Sequence, residues 1–554
     1  MNIGSLLRPD LVLFGGNLIT IDPGQPRAQA IAMRGETILA VGTDADVLSL
    51  AGAGTRRIDL HGMTLVPGFN DAHNHMVFFG QQLKGVDLQT DPARSIADVV
   101  QRIRAAARSR PAGTWLSAYG YDNNLLPGRD HPTRHDLDAA APEHMVQCGH
   151  TSGHMCVLNS KALAACAITR DTPDPEGGKI VRDAAGEPTG LLLELAQTLV
   201  ERIRYPLTGA EIIEGLELAD RRYLSEGLTS AQEALAGSLS PLELKAWQDA
   251  VAQDRLHIRT SLMVRVDFLQ QSSGAAGELP VLGLSQGLHT GFGDHRLRIG
   301  PAKMFADGSL IGRTAYMFEP FATDPGNTGF LVVPEDVLKD RILRLHQSGW
   351  QLAIHAIGDK AVAVVLDGYE AALRACPRAD HRHRVEHAGV LSPDALDRMA
   401  RLGIIGVPQQ HFIYRTGDGY LANLGPERAR WCYPQKAYLD RGMVLAGSSD
   451  RPVVPGAPLL GIHDAVNQIT AGGRPYVPEE AITPEQAIAA YTLGSAYCSF
   501  EERIKGSLVA GKLADLTVLD RDPTAMDPAA IGETRVLGTF VGGRQLYAAG
   551  GFGG

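Results

Sequence analysis

Nowhere in the 554 residues of this chain does an apolar run approach the length of a membrane helix, which takes about 20 consecutive apolar residues. The sequence therefore predicts no membrane partner. Basic charge is also short. Lys and Arg total 52 against 62 Asp and Glu, a formal net charge of -10 with no basic cluster, and this argues against nucleic acid as a partner. Cys148, Cys156, Cys166, Cys376, Cys432 and Cys498 are scattered without paired spacing. That pattern excludes a disulfide framework and favours reduced thiols. The N-terminus lacks the basic flank and apolar core of a signal peptide, so the cytoplasm is the expected location. No internal repeat or low-complexity segment stands out. What is present, 44% apolar residues, suffices for a large core and suits a soluble enzyme. With only 6% aromatic residues and no cationic cluster, the composition hints at a neutral, partly apolar substrate.

Against this background one ordered set of residues stands out: His73 and His75, then Lys303, His355, His387 and Asp450. A divalent ion that activates water needs neutral imidazoles and carboxylates held rigidly around an open coordination position. This set can supply that shell. His73 and His75 end the run Met63 to His75, and residues two apart on a strand share a face, so both imidazoles can reach one ion. Alone, such a pair is equally at home in a polar turn. Lys303 lies in the apolar segment Leu297 to Asp307, where burial favours the neutral amine. A neutral amine can add carbon dioxide and become a carbamate, an anionic ligand able to bridge two metals. An ion pair with Asp307 or another acid is the competing reading. His355 and His387 end short apolar strands that break at glycine, and each alone could be a hydrogen-bonded core histidine. Asp450 follows the apolar run Met443 to Ser449. It could instead cap a helix or pair with Arg451.

Eight strand-like runs recur with helical stretches between them, at 64–72, 227–235, 259–266, 297–306, 351–357, 383–388, 404–409 and 443–449. Amphipathic helices are predicted at 211–224, 334–347, 359–375 and 393–401. Such alternation favours a parallel sheet, and eight units are what a closed (β/α)8 barrel requires. The ends differ. Residues 1–62 and 505–554 hold short strands separated by glycine and proline, and neither end looks large enough to bury a core alone. They are expected to pair into one small β-sandwich beside a barrel of residues 63–504. A segment of unusual length, about 85–205, separates the first two barrel strands, and loops of that size usually act as lids or binding elements. It is expected to cover the mouth of the site. Within it, His150 and His154 with Cys148 and Cys156 lack the second paired cluster of a structural zinc site.

The motifs Pro67 to His75, His154 to Leu163, Lys303 to Ala315, Ile354 to Asp359, Val385 to Ala388, Ser449 to Val453 and Gly506 to Asp515 together resemble the metal-dependent amidohydrolase superfamily. The resemblance is closest to its amidohydrolase family 3 branch, related to N-substituted formamide deformylases, and spans nearly the whole chain. It implies an α/β fold, a distorted (β/α)8 TIM barrel with the metal at the carboxyl ends of its strands, joined to a small β-sandwich. It further implies hydrolysis of a carbon–nitrogen bond by metal-activated water. His73, His75 and Asp450 would hold one ion, and His355 and His387 a second if Lys303 is carbamylated. Zinc suits this imidazole-rich shell, with manganese, iron or cobalt as the alternatives for similar ligands. Asp450 would take a proton from water and pass it to the leaving nitrogen. His154, which matches a family histidine, is assigned to substrate or oxyanion hydrogen bonding. One departure is Ser448 before the Ser449-Asp450 pair, where the family more often has glycine. The expected partner is a small amide, most simply an N-substituted formamide, and a homodimer is a family-level expectation. Other amides, lactams, esters and exocyclic amines use the same shell. A scaffold that has lost catalysis is the reading from a different class, and the six occupied positions speak against it.

Overall fold

Seven of the apolar runs pair as parallel strands: Phe69–Asn74 (β1), Leu228–Ala236 (β2), Arg259–Arg265 (β3), Leu297–Phe305 (β4), Leu352–Ala356 (β5), Arg384–His387 (β6) and Ile405–Val407 (β7). Their order in the sheet follows their order in the chain. The computed structural model describes residues 8–89, 92–151, 155–175, 178–273 and 280–553. Its fold is α/β, a nearly closed parallel barrel with additional β structure.

The helices form where apolar residues recur every three or four positions. They run over Gly209–Ser225 (α1), Glu335–Gln347 (α2), Asp359–Ala375 (α3) and Pro393–Leu402 (α4). In α3 the residues Val362, Val365, Leu366, Tyr369 and Ala372 form the buried stripe. Tyr369 Oη donates to the carbonyl of Arg384 at 2.7 Å, which ties α3 to β6. Helix α4 begins where Ser392 accepts from Ala395 N–H, and it stops at Gly403 with φ of 68°. Ser at the N-cap and a left-handed glycine at the end are the expected punctuation.

Two sequence expectations need correction. The predicted strand over 64–72 is two strands in different sheets. Thr64–Pro67 pairs with Asn17–Ile19 and Leu516–Leu519, whereas Phe69–Asn74 joins the barrel. Gly68 is the crossing point. A side chain there would place its Cβ 2.2 Å from Thr229 Oγ1, so only glycine lets the two sheets approach.

The eighth predicted strand, 443–449, does not form a ladder, and among the described residues the barrel has seven strands. The segment still occupies the gap. On one side Ala72 N–H donates to Gly447 O at 3.0 Å and Asp450 N–H to His73 O at 2.7 Å. On the other side, side chains stand in for backbone. Gln410 Nε2 donates to Ala446 O, and Gln410 Oε1 accepts from Ser448 N–H, each at 3.0 Å. The neighbouring strand β7 stops at Val407 because Pro408 has no N–H to continue a ladder.

Two further sheets of this unit are built from both chain ends. One sheet runs in the order Thr37–Gly42, Ala30–Arg34, Leu11–Phe14, Arg56–Asp59. A second runs Arg544–Ala548, Val536–Val541, Leu516–Leu519, Thr64–Pro67, Asn17–Ile19, Arg27–Ala28. Leu13, Leu18, Ile31, Leu65, Leu516 and Phe540 share one apolar cluster. Residues 76–219 and 238–250 form a second unit. There the described residues of the segment 85–205 are folded. Its six-stranded mixed sheet runs Gly178–Arg182, Pro188–Glu194, Met155–Leu158, Met145–His150, Trp115–Tyr121, Val86–Asp87. Leu116, Val146, Cys148 and Val157 lie in its core, and all six cysteines of the chain are free. No helix among the described residues is long and apolar enough to cross a membrane.

If Gly68 is the packing hinge, Gly68→Ala should destabilise the protein by about 1–3 kcal/mol through overpacking against Thr229. The expected result is a lowered thermal unfolding midpoint. An unchanged midpoint would show that Thr229 can move aside freely.

Candidate metal centre

Strands of a parallel barrel deliver their last residues to one end. Here β1 ends at His73 and Asn74 with His75 just beyond, β4 carries Lys303, β5 carries His355, β6 ends at His387, and Asp450 follows the eighth segment. All six candidate residues thus emerge at carboxyl ends. His75 Nε2 lies 3.0 Å from Asp450 Oδ1, and His73 Nε2 lies 3.5 Å from the same oxygen. Ring centroids of His73 and His387 are 4.8 Å apart, and those of His387 and His355 are 4.5 Å apart. Among the described residues, His73, His75 and Asp450 form the group whose donor atoms all lie within 4.8 Å of one another. Two imidazole nitrogens converging on one carboxylate oxygen are a donor set that fits a divalent ion.

Three of the imidazoles are oriented by a second partner, as metal-binding histidines commonly are. His73 Nδ1–H donates to Glu386 Oε2, which leaves Nε2 as the nitrogen turned toward Asp450. His387 Nδ1–H donates to Gln409 Oε1 at 2.7 Å. Gln409 spends its own amide hydrogens on Val407 O and Ser448 Oγ, so Oε1 is the acceptor. His355 Nε2–H donates to Gly308 O at 2.9 Å, leaving Nδ1 unprotonated. These three tautomers each keep one lone-pair nitrogen for a ligand.

Electrostatics act in the same direction. Burial, reinforced by the Lys303 charge, holds the His73 imidazole well below its usual range. For His387 burial and the neighbouring imidazoles do the same, and burial with Lys303 pushes His355 down to about 3. All three are neutral at physiological pH, the form that binds metal. Lys303 is itself lowered to about 8 by burial, against the opposing pull of Glu386 and Asp450. Burial raises Asp71 to about 6, although hydrogen bonds from Ser449 and from His73 N–H hold it down. That carboxylate accepts from Ser449 N–H at 3.1 Å and His73 N–H at 3.0 Å, so it locks the first strand to the Asp450 turn.

The backbone is strained where the side chains turn inward. His387, Ala388 and Asp450 have φ of 67°, 46° and 59°. A non-glycine residue in this left-handed region costs on the order of 1–3 kcal/mol, a cost the surrounding hydrogen bonds offset.

The competing sequence readings can be compared with this geometry. Asp307 does not pair with Lys303. Its carboxylate accepts N–H bonds from Tyr316, Ile357 and Gly358 at 2.8, 3.0 and 2.8 Å, and burial raises it to about 7. Arg451 does not pair with Asp450, because its guanidinium meets Glu226 at 2.6 Å. His150 Nε2 lies 3.0 Å from Asn123 Oδ1. His154 lies outside the described residues.

Glu386 carries a role that sequence inspection assigned to no residue. Fully buried, it meets Arg384 Nε at 2.6 Å and Nη2 at 2.9 Å while orienting His73. The available signal was the Arg384-Val385-Glu386 alternation, two opposite charges on one face of a short strand. Gln409 and Asp71 left no comparable mark.

Comparison with known proteins agrees with the site. The sequence model described as the amidohydrolase family matches residues 56–547. The putative amidohydrolase YtcJ of Bacillus subtilis is 32% identical over 96% of this chain and 98% of its own length. The N-substituted formamide deformylase of Arthrobacter pascens is 30% identical over 97% of this chain and 98% of its own. Among solved structures, an uncharacterized metal-dependent hydrolase from Pyrococcus furiosus superposes with a TM-score of 0.75 at 29% identity, covering 93% of this chain and 99% of that one.

If Glu386 holds the His73 tautomer, Glu386→Gln should weaken the metal affinity of the folded protein about 10- to 100-fold and lower its stability by about 3–5 kcal/mol, because Arg384 loses its buried counter-charge. Competition against a chromogenic chelator, with circular dichroism as the check on folding, measures this. Wild-type affinity in the variant would remove Glu386 from that role.

Proposed function

Since the chain belongs to the amidohydrolase family and is a metal-dependent hydrolase of carbon–nitrogen bonds, we propose that it cleaves an N-substituted formamide to formate and an amine. The supporting observation is the convergence of His73, His75 and Asp450, with Lys303, His355 and His387 at the same barrel end. The likeness to the Arthrobacter pascens deformylase supports the choice of substrate.

In this reading His73, His75 and Asp450 would hold one divalent ion, zinc by the character of the donors. Lys303 as its carbamate, with His355 and His387, would hold a second. Such an ion supplies Lewis acidity, polarising the carbonyl and lowering the pKa of water toward neutrality. Asp450 receives the proton of the attacking water. It then delivers that proton to the leaving nitrogen, because an amide anion is too basic to depart. The left-handed turn at Asp450 and the 2.7 Å bond from its N–H to His73 O hold the carboxylate at this station.

The test is amine release from N-substituted formamides, matching acetamides, lactams and an aminopurine, by metal-loaded protein and by Asp450→Asn. We expect release confined to formamides and reduced about 10²- to 10⁴-fold in the variant, the usual worth of a general acid–base. Chelation should abolish the activity and zinc restore it. Normal turnover by Asp450→Asn would overturn its role, and release from acetamides alone would overturn the formamide assignment.

A further inference from the structure

Phe305 ends β4 two positions after Lys303, so both side chains leave the same face of the strand. Its sequence neighbours are packed away, with Met304 3% and Ala306 0% exposed, yet Phe305 keeps 37% of its surface open. Core packing does not require an open ring at the end of a barrel strand among imidazoles and an amine. The ring is nevertheless closely bordered. Its centroid lies 4.9 Å from Lys303 Nζ and 5.2 Å from the His355 ring. Phe305 and His355 also face each other in the β4–β5 register. A molecule whose reacting carbon approaches Lys303 and His355 therefore comes to lie against this ring.

Two more apolar side chains are exposed next to these strand ends. Val332 donates its N–H to Ala306 O at 2.9 Å, one residue past Phe305, and is 49% exposed. Val453 donates its N–H to Asp450 O at 2.9 Å and is 54% exposed. Exposed apolar side chains beside a polar site are characteristic of ligand binding. Water gains little from a phenyl face, whereas an apolar group placed on it removes two such faces from water together.

We propose that Phe305 is a specificity-determining residue, the platform for an apolar, ring-sized substituent that the substrate carries beside the bond to be cleaved. The inference rests on the amide-hydrolysing reading of the site. A ring that merely shields Lys303 from water would affect all substrates alike. A platform affects only those with a substituent large enough to cover it.

The experiment compares wild type, Phe305→Ala and Phe305→Leu on N-cyclohexylformamide and N-methylformamide. Phe305→Ala should lower kcat/KM for the cyclohexyl substrate about 10-fold or more, the size of one lost apolar face, and leave the methyl substrate within about 2-fold. Phe305→Leu should recover most of the loss. Equal losses on both substrates, or none, overturn the platform. A second measurement needs no turnover: binding of 4-fluorobenzyl alcohol to the metal-loaded protein, followed by fluorine NMR, with Phe318→Ala as control. Affinity should fall about 10-fold in Phe305→Ala and stay unchanged in the control. Failure to bind wild type, or equal binding to wild type and Phe305→Ala, overturns the platform. Loss of binding in Phe305→Ala without turnover of any formamide would instead retain the platform and reject the formamide reading.

Discussion

The tie between the first barrel strand and the Asp450 turn is the constraint on which the rest of the site depends. Asp71 accepts a hydrogen bond from Ser449 N–H across a sequence separation of 378 residues. Asp450 N–H and His75 N–H bond to His73 O and Arg451 O, each at 2.7 Å. A regular eighth strand would have closed the barrel with a repeating ladder. Here the closure is made by a few directed bonds, supplied partly by the Gln410 amide. Freed from a ladder's pleat, residue 450 can adopt φ of 59° and turn its carboxylate toward both histidines. The irregular closure and the convergence of the donor set are thus one structural fact.

Charge burial is the second organising theme. Arg384 and Glu386 are fully buried on the same face of β6, and each is hydrogen-bonded beyond the other. Removing one partner of a buried pair leaves an uncompensated charge and is strongly destabilising, by about 3–5 kcal/mol. Exchanging one member alone therefore carries that cost, and Glu386 is held where it fixes the His73 tautomer. Around it, low dielectric keeps the imidazoles neutral and lowers Lys303 toward neutrality. Scaffold stability and ligand chemistry draw on the same buried groups.

Much of this was legible from the chain alone where the signal is local. Alternating apolar runs and helical stripes correctly indicated a parallel α/β barrel, and α3 spans the very residues the pattern marks, 359–375. The histidines, Lys303 and Asp450 could be picked out because polar groups that end apolar runs are conspicuous. The split of 64–72 at Gly68 could not be seen, since one continuous apolar run serves two sheets whose partners lie at residues 17–19, 228–236 and 516–519. Nor could the missing eighth strand, because 443–449 has a strand's composition and lacks only a neighbour with free backbone groups.

Composition and periodicity, which act over a few residues, determined the helices, most strands and the inventory of candidate ligands. Everything that depends on groups far apart in the chain was left to the tertiary structure. Which nitrogen of His73, His387 and His355 is available is set by Glu386, Gln409 and Gly308 O in turn. Asp307 bonds to backbone N–H groups instead of Lys303, and Arg451 to Glu226 instead of Asp450. The physical reason is common to all of these. A buried polar group must find its partner within hydrogen-bond reach, and reach is a property of the folded chain, not of the distance along it.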